Sequence, residues 1–183
     1  MTAAIEVRNL VKRFGGLVAT NNLSFDLDEG ESLGLIGPNG AGKTTVFAQI
    51  MGELAQTSGT IRFKGQEISG LSTSERISRG ISRTYQVPRP FTELTVRENI
   101  RVGLMPNNIR QLVFGATDRV QEERFAESVG FNLRNLDRSA AELSMGDLRK
   151  LEFARTLATG AKTLLLDEIF AGLTTGEIAM IAD

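Results

Sequence analysis

Residues Gly37 to Thr45 read G-P-N-G-A-G-K-T-T and contain the spacing G-x-x-x-x-G-K-T. These types suit the gripping of a string of phosphates. Gly37, Gly40 and Gly42 allow tight turns that a Cβ would obstruct, so the loop that starts through Pro38, which has no N–H, can aim the N–H groups from Asn39 and Ala41 onward inward. Lys43 offers an ammonium to the outer phosphates, and the Thr44 hydroxyl is a ligand for Mg2+. Thr45 leads into a helix whose N-terminal end adds partial positive charge. The alternative is a glycine-rich turn with no ligand. The flanks argue against it, because a strand-like stretch (Ser32–Ile36) precedes the loop and a helix-like one (Val46–Met51) follows. The residues point to a nucleoside triphosphate.

A second group with chemistry in it is Asp167-Glu168, directly after Leu164-Leu165-Leu166. The apolar run suits a central parallel strand buried on both faces. An acid at the C-terminal end of such a strand stands at the crevice where open α/β sheets bind ligands. Asp167 can hold Mg2+ there, through water, opposite Thr44. Glu168 can polarise an attacking water as general base. Alone the pair is an ordinary strand end; downstream of a phosphate loop it reads as the other half of one site.

The elements that must position these groups follow from pattern. Ile5–Leu10 and Leu23–Leu27 alternate as half-buried strands, with Asp28–Glu31 as a turn before the loop. Thr60–Phe63 is a short strand ended at Gly65. A helix over Ser74–Arg79 stops at Gly80, and Ile81–Tyr85 is extended again. The character changes from Val87 to Ala141. Pro88 and Pro90 break regular structure, and Thr95-Val96-Arg97-Glu98 is a capping box for a helix. Thr117 or Asp118 can cap a second, charged helix reaching about Val129. This stretch is read as a small helical subdomain inserted in an α/β core, the alternative being a long surface connection. Ser144 caps a further helix over Asp147–Thr159, with Leu148, Leu151, Ala154, Leu157 and Ala158 on one face. Thr174–Glu177 opens a last helix, and the expectation is a longer protein whose sheet continues beyond Asp183.

Composition sets the bounds. The 183 residues are 41% hydrophobic, enough for one ordinary core, and carry a net charge of −1, so no bulk electrostatic attraction to nucleic acid is expected. There is no cysteine, so disulfides and thiolate metal sites are excluded. No apolar run approaches the roughly 18 residues of a bilayer span. The first residues lack the basic and apolar segments of a signal peptide, so a cytoplasmic protein is expected. There is also no histidine.

Leu143-Ser144-Met145-Gly146-Asp147 makes the reading specific, because it resembles the L-S-G-G-Q signature of ABC transporter ATP-binding subunits. The phosphate loop, Gln86, the signature, the acidic strand and the loop Ala171-Gly172-Leu173-Thr174 stand in that family's order. The resemblance covers essentially the whole chain. It implies an α/β fold with a P-loop NTPase core, an antiparallel β subdomain and the inserted helical subdomain. Residues 1–86 and 142–183 would form the core, and about 87–141 the insertion. It implies ATP as ligand, a second cassette as partner in a homo- or heterodimer, and membrane permease subunits. The place would be the inner face of the cell membrane. Ser144 and the Gly146 N–H, at a helix N-terminus, would face the γ-phosphate held by the other cassette. Ser144 could equally be a cap alone. Phe14 matches the ring that stacks on adenine, against the alternative of packing a strand end. Gln86 matches the glutamine that senses Mg2+ or the attacking water, against that of a solvated loop residue.

Val11–Leu17, Arg83–Gln86, Leu94–Asn99 and Leu151–Arg155 resemble branched-chain amino-acid import ATPases. Urea or amide importers and lipopolysaccharide-export ATPases carry similar strings. Two rival classes stay open at this point, a soluble ABC ATPase and a regulatory module with a spent site. Departures are visible too. Met145 replaces a signature glycine and Asp147 the usual glutamine, placing negative charge where a partner's phosphates would sit. Ile169 and Thr174 replace a customary proline and Asn/Asp. The family's histidine, which contacts the γ-phosphate, is missing, so slow hydrolysis by these residues alone is expected.

Overall fold

The chain divides into two compact units, residues 1–81 and 82–183; the computed structural model describes residues 3–105 and 118–167. In the first unit β1 (Ala3–Phe14) and β2 (Leu17–Asp28) form a long antiparallel hairpin. β3 (Ser58–Phe63) and β4 (Gln66–Glu67) extend it, in the order β2-β1-β3-β4. Ile5, Val7 and Leu10 of β1 are buried, although strict alternation would turn Leu10 outward. Asn9, at φ 47°, breaks the register between Val7 and Leu10, and this bulge returns Leu10 to the core. The neighbouring strand passes it at Gly59, where a Cβ would lie 2.5 Å from the Asn9 carbonyl oxygen.

Two helices complete this unit, α1 (Lys43–Met51) and α2 (Thr73–Ser78). α2 begins with a reciprocal Ser72–Glu75 capping box. It carries Arg76, whose buried guanidinium donates to the carbonyls of Gln49 (2.7 Å), Ile50 (2.8 Å), Ser69 (3.0 Å) and Leu71 (3.0 Å). Gln49 and Ile50 are in the last turn of α1, where the helix dipole favours a cation. Arg76 therefore fastens α2 to the end of the helix that begins at the phosphate loop.

One expected strand is absent. Ser32–Ile36 forms no strand among the described residues, and Leu33 and Ile36 are 48% and 95% exposed. A strand exists by pairing, and the ladder of this unit is taken up by β1 to β4.

In the second unit β5 (Ile81–Arg83) pairs with β6 (Thr163–Leu165). Burial of β6 on both faces is not met: Thr163 and Leu165 are buried, but Leu164 is half-buried and Leu166 exposed. Among the described residues this sheet has two strands. Helices α3 (Val96–Leu104), α4 (Arg119–Ser128) and α5 (Met145–Ala158) enclose a core of Val96, Ile100, Ala126, Leu136, Leu151 and Ala154. The Thr95–Glu98 capping box is present, and Asp118 caps α4 by accepting the Gln121 N–H at 3.1 Å. α3 and α5 approach so closely that a Cβ on Gly103 would lie 2.4 Å from the Arg155 carbonyl oxygen. The fully buried Glu122 of α4 sits between two arginines of α3, at 3.3 Å from Arg97 and 2.6 Å from Arg101. The Thr174–Glu177 capping box lies outside the described residues.

Candidate functional site

The phosphate loop is a closed turn of backbone. The Ala41 N–H donates to the Pro38 carbonyl at 3.1 Å, and Gly40 between them has φ 82°, a conformation glycine adopts without strain. Gly42 follows at φ 88°, where a Cβ would lie 2.2 Å from the Ala19 oxygen of β2. This glycine is thus required twice over, by its dihedral and by its contact. A Cβ on Gly37 would meet the Ala41 Cβ at 3.1 Å. Gly42 is also the N-cap of α1 and brings no side-chain cap, whereas Ser72, Thr95, Asp118 and Ser144 cap α2 to α5. The first N–H groups of α1 therefore keep their capacity for an anion. Lys43 Nζ reaches back to the Gly37 and Pro38 carbonyls at 2.7 and 3.0 Å. Thr44 is exposed and Thr45 half-buried at the start of α1; Asn39 is exposed at the tip of the turn. A tight turn that excludes a Cβ at Gly42, a helix start without a side-chain cap and an ammonium together fit a polyphosphate.

Phe14 ends β1 with its ring 46% exposed, so it is not a core residue. Lys12 Nζ lies 5.0 Å from the ring centroid.

In the second unit Asp167 is buried beside β5. Its Oδ2 accepts from Arg83 Nη2 at 3.1 Å, and its N–H donates to Thr84 Oγ1 at 3.0 Å. Arg83 ends β5 and Thr84 follows it, on the way to Gln86, which is exposed. The hydroxyl of Thr44 and the carboxylate of Asp167 are hard oxygen donors, the chemistry that Mg2+ prefers. At the head of α5 Ser144 Oγ accepts the Asp147 N–H at 3.1 Å and donates to Asp147 Oδ2 at 2.8 Å. Lys150 closes the group on Asp147 Oδ1 at 3.2 Å. Gly146 is half-buried in the first turn.

The sequence profile of the ABC transporter family matches residues 20–171. The chain belongs to the ABC transporter family. It is an ATP-binding cassette. It is similar to the high-affinity branched-chain amino acid transport ATP-binding protein LivG of Salmonella typhimurium, 40% identical over 94% of this chain and 72% of that protein. It is also similar to BraF of Pseudomonas aeruginosa, which bears the same description, at 38% identity over 94% of this chain and 72% of that protein. Among solved structures, a nucleotide-free ATP-binding cassette from an ABC transporter superposes with a TM-score of 0.81 at 30% identity, covering 98% of this chain and 74% of that one.

Within the cassette the structure places Gly37 to Gly42 in the loop and Lys43 to Thr45 at the head of α1, and brings together Asp167 with Arg83 and Thr84, and Ser144 with Asp147. The loop belongs to the first unit and Asp167 to the second, and the hydrogen bonds described for each lie within its own unit. Glu168 lies outside the described residues, as do Ile169, Thr174 and the Ala171–Thr174 loop. Sequence reasoning passed over Arg83, a charged side chain in an otherwise short buried strand. It also passed over Glu152, a carboxylate inside the apolar register of α5. In both cases the mismatch between charge and expected burial was the available signal.

No helix among the described residues is long and apolar enough to cross a membrane.

Proposed function

We propose that this cassette supplies ATP hydrolysis to an importer of branched-chain amino acids or related small solutes, working as one of a pair of cassettes on the inner face of the cell membrane. The observation that carries the chemistry is the N-terminus of α1 without a side-chain cap, behind a loop whose Gly40 and Gly42 hold positive φ. The solute class rests on the likeness to LivG and BraF. Gly37, Pro38, Asn39, Gly40, Ala41, Gly42, Lys43, Thr44 and Thr45 hold the triphosphate, and Phe14 stacks on adenine. Thr44, Asp167 and Gln86 would hold Mg2+, which would neutralise charge on the triphosphate. Lys43 exchanges its carbonyl partners for phosphate oxygens. Glu168 takes a proton from the attacking water, with Gln86 orienting that water. Ser144 and the Gly146 N–H face the nucleotide held by the partner cassette.

These 183 residues hold no histidine, and we expect them to hydrolyse ATP more slowly than cassettes that place one at the γ-phosphate. Co-purification with a polytopic membrane protein and ATPase activity stimulated by that partner test the transport reading. A cassette that associates only with soluble partners would overturn it.

A further inference from the structure

Glu152 of α5 is 3% exposed and has no part in the steps above. Its carboxylate accepts the backbone N–H groups of Tyr85 and Arg89, on either side of Gln86, while its Oε1 has no hydrogen-bond partner among the described residues. Burial pushes the carboxyl above its ordinary value and the two N–H bonds oppose that. Arg155, on the same face nearly one turn on, donates from Nη2 to the Arg89 carbonyl at 2.9 Å. Its guanidinium lies 5.2 Å from the centroid of Phe91. The ring of Tyr85 has the guanidinium groups of Arg83 and Arg89 at 5.0 and 4.8 Å. The segment from Thr84 to Phe91 has no helix or strand of its own, so its backbone groups need outside partners. A side chain serving only the core of α5 would be apolar, because burying a carboxylate is costly unless hydrogen bonds repay it. A charged acceptor taking two backbone N–H groups fixes a loop more firmly than neutral pairs do.

We propose that Glu152 and Arg155 are positioning residues that tie the Gln86 loop to α5, so that Gln86 takes its place from the same helix that Ser144 caps. The inference rests on the proposed role of Gln86 in hydrolysis. The clamp itself is testable without that role.

Amide hydrogen exchange on the full chain compares wild type with E152M, in which volume is kept and the acceptor removed. Exchange at Tyr85 and Arg89 should quicken at least tenfold while Ile100 and Leu151 keep their protection. Unchanged exchange at the two loop amides overturns the proposal, and so does a general loss of protection across α3 and α5. Should E152M fail to fold, E152Q carries the test. Its neutral oxygen accepts more weakly, so the same two amides must exchange severalfold faster, and unchanged rates overturn the proposal there too. For turnover, E152M should lower kcat for ATP with KM unchanged, and the double variant with Q86A should be no slower than Q86A. Additive losses overturn the positioning role. If Q86A itself leaves kcat intact, the reading of Gln86 fails and the exchange rates alone judge the clamp.

Discussion

Lys43 rests its ammonium on two carbonyls of its own loop. Those are neutral acceptors, and a phosphate oxygen forms the stronger, charge-assisted bond. K43A should therefore abolish ATP binding while leaving the thermal midpoint little changed, as paired melting and nucleotide-binding titrations would show. Ser144 presents the opposite case, because its hydroxyl is already committed to Asp147. A partner's phosphate must displace that carboxylate and tolerate its charge. D147Q should strengthen ATP-dependent pairing of cassettes severalfold, read by sedimentation; weaker pairing would mean that Asp147 helps rather than competes. At this scale the sequence spoke clearly about glycines and about Lys43, whose roles follow from local backbone needs. It showed Arg83 and Glu152 only within longer strings and with no role of their own, because their meaning lies in partners Asp167 and Tyr85, far away along the chain.

The elements divide in the same way. Helix starts at Thr95, Asp118 and Ser144 were legible because a cap is a local hydrogen bond written within four residues. The expected strand at Ser32–Ile36 was not secure, because alternation cannot supply a ladder partner, and the bulge at Asn9 likewise depends on β2 and β3. Between helices, Glu122 is the most consequential polar group. E122A would remove the partner of Arg101 and leave Arg97 to Glu123 and Asp137, and a loss of about 1–3 kcal/mol is expected in denaturant unfolding. The capping box makes a prediction about acid. Backbone and hydroxyl hydrogen bonds from Thr95 hold the Glu98 carboxyl below its ordinary value. A lowered carboxyl stabilises the fold above the unfolded-state value of about 4.3 and loses that contribution as pH falls through the folded value. Melting midpoints measured on either side of that range should fall further for wild type than for E98Q; equal falls would remove the box from the acid response.

Across the whole molecule, the antiparallel unit carries the phosphate loop, and the helical unit carries Asp167, Gln86 and the Ser144 end of α5. The order of motifs along the chain was enough to reveal the cassette, since each motif is a local device and their sequence is distinctive. How a sheet is shared between chain-distant strands was not readable from any one of them. The account rests on a triphosphate being held by the loop at the head of α1. Titrating ATP with Mg2+ into the chain in a calorimeter, beside K43A, tests that most directly. Saturable binding of one nucleotide per chain, lost in K43A, is the predicted result; wild-type heats no different from those of K43A would contradict it.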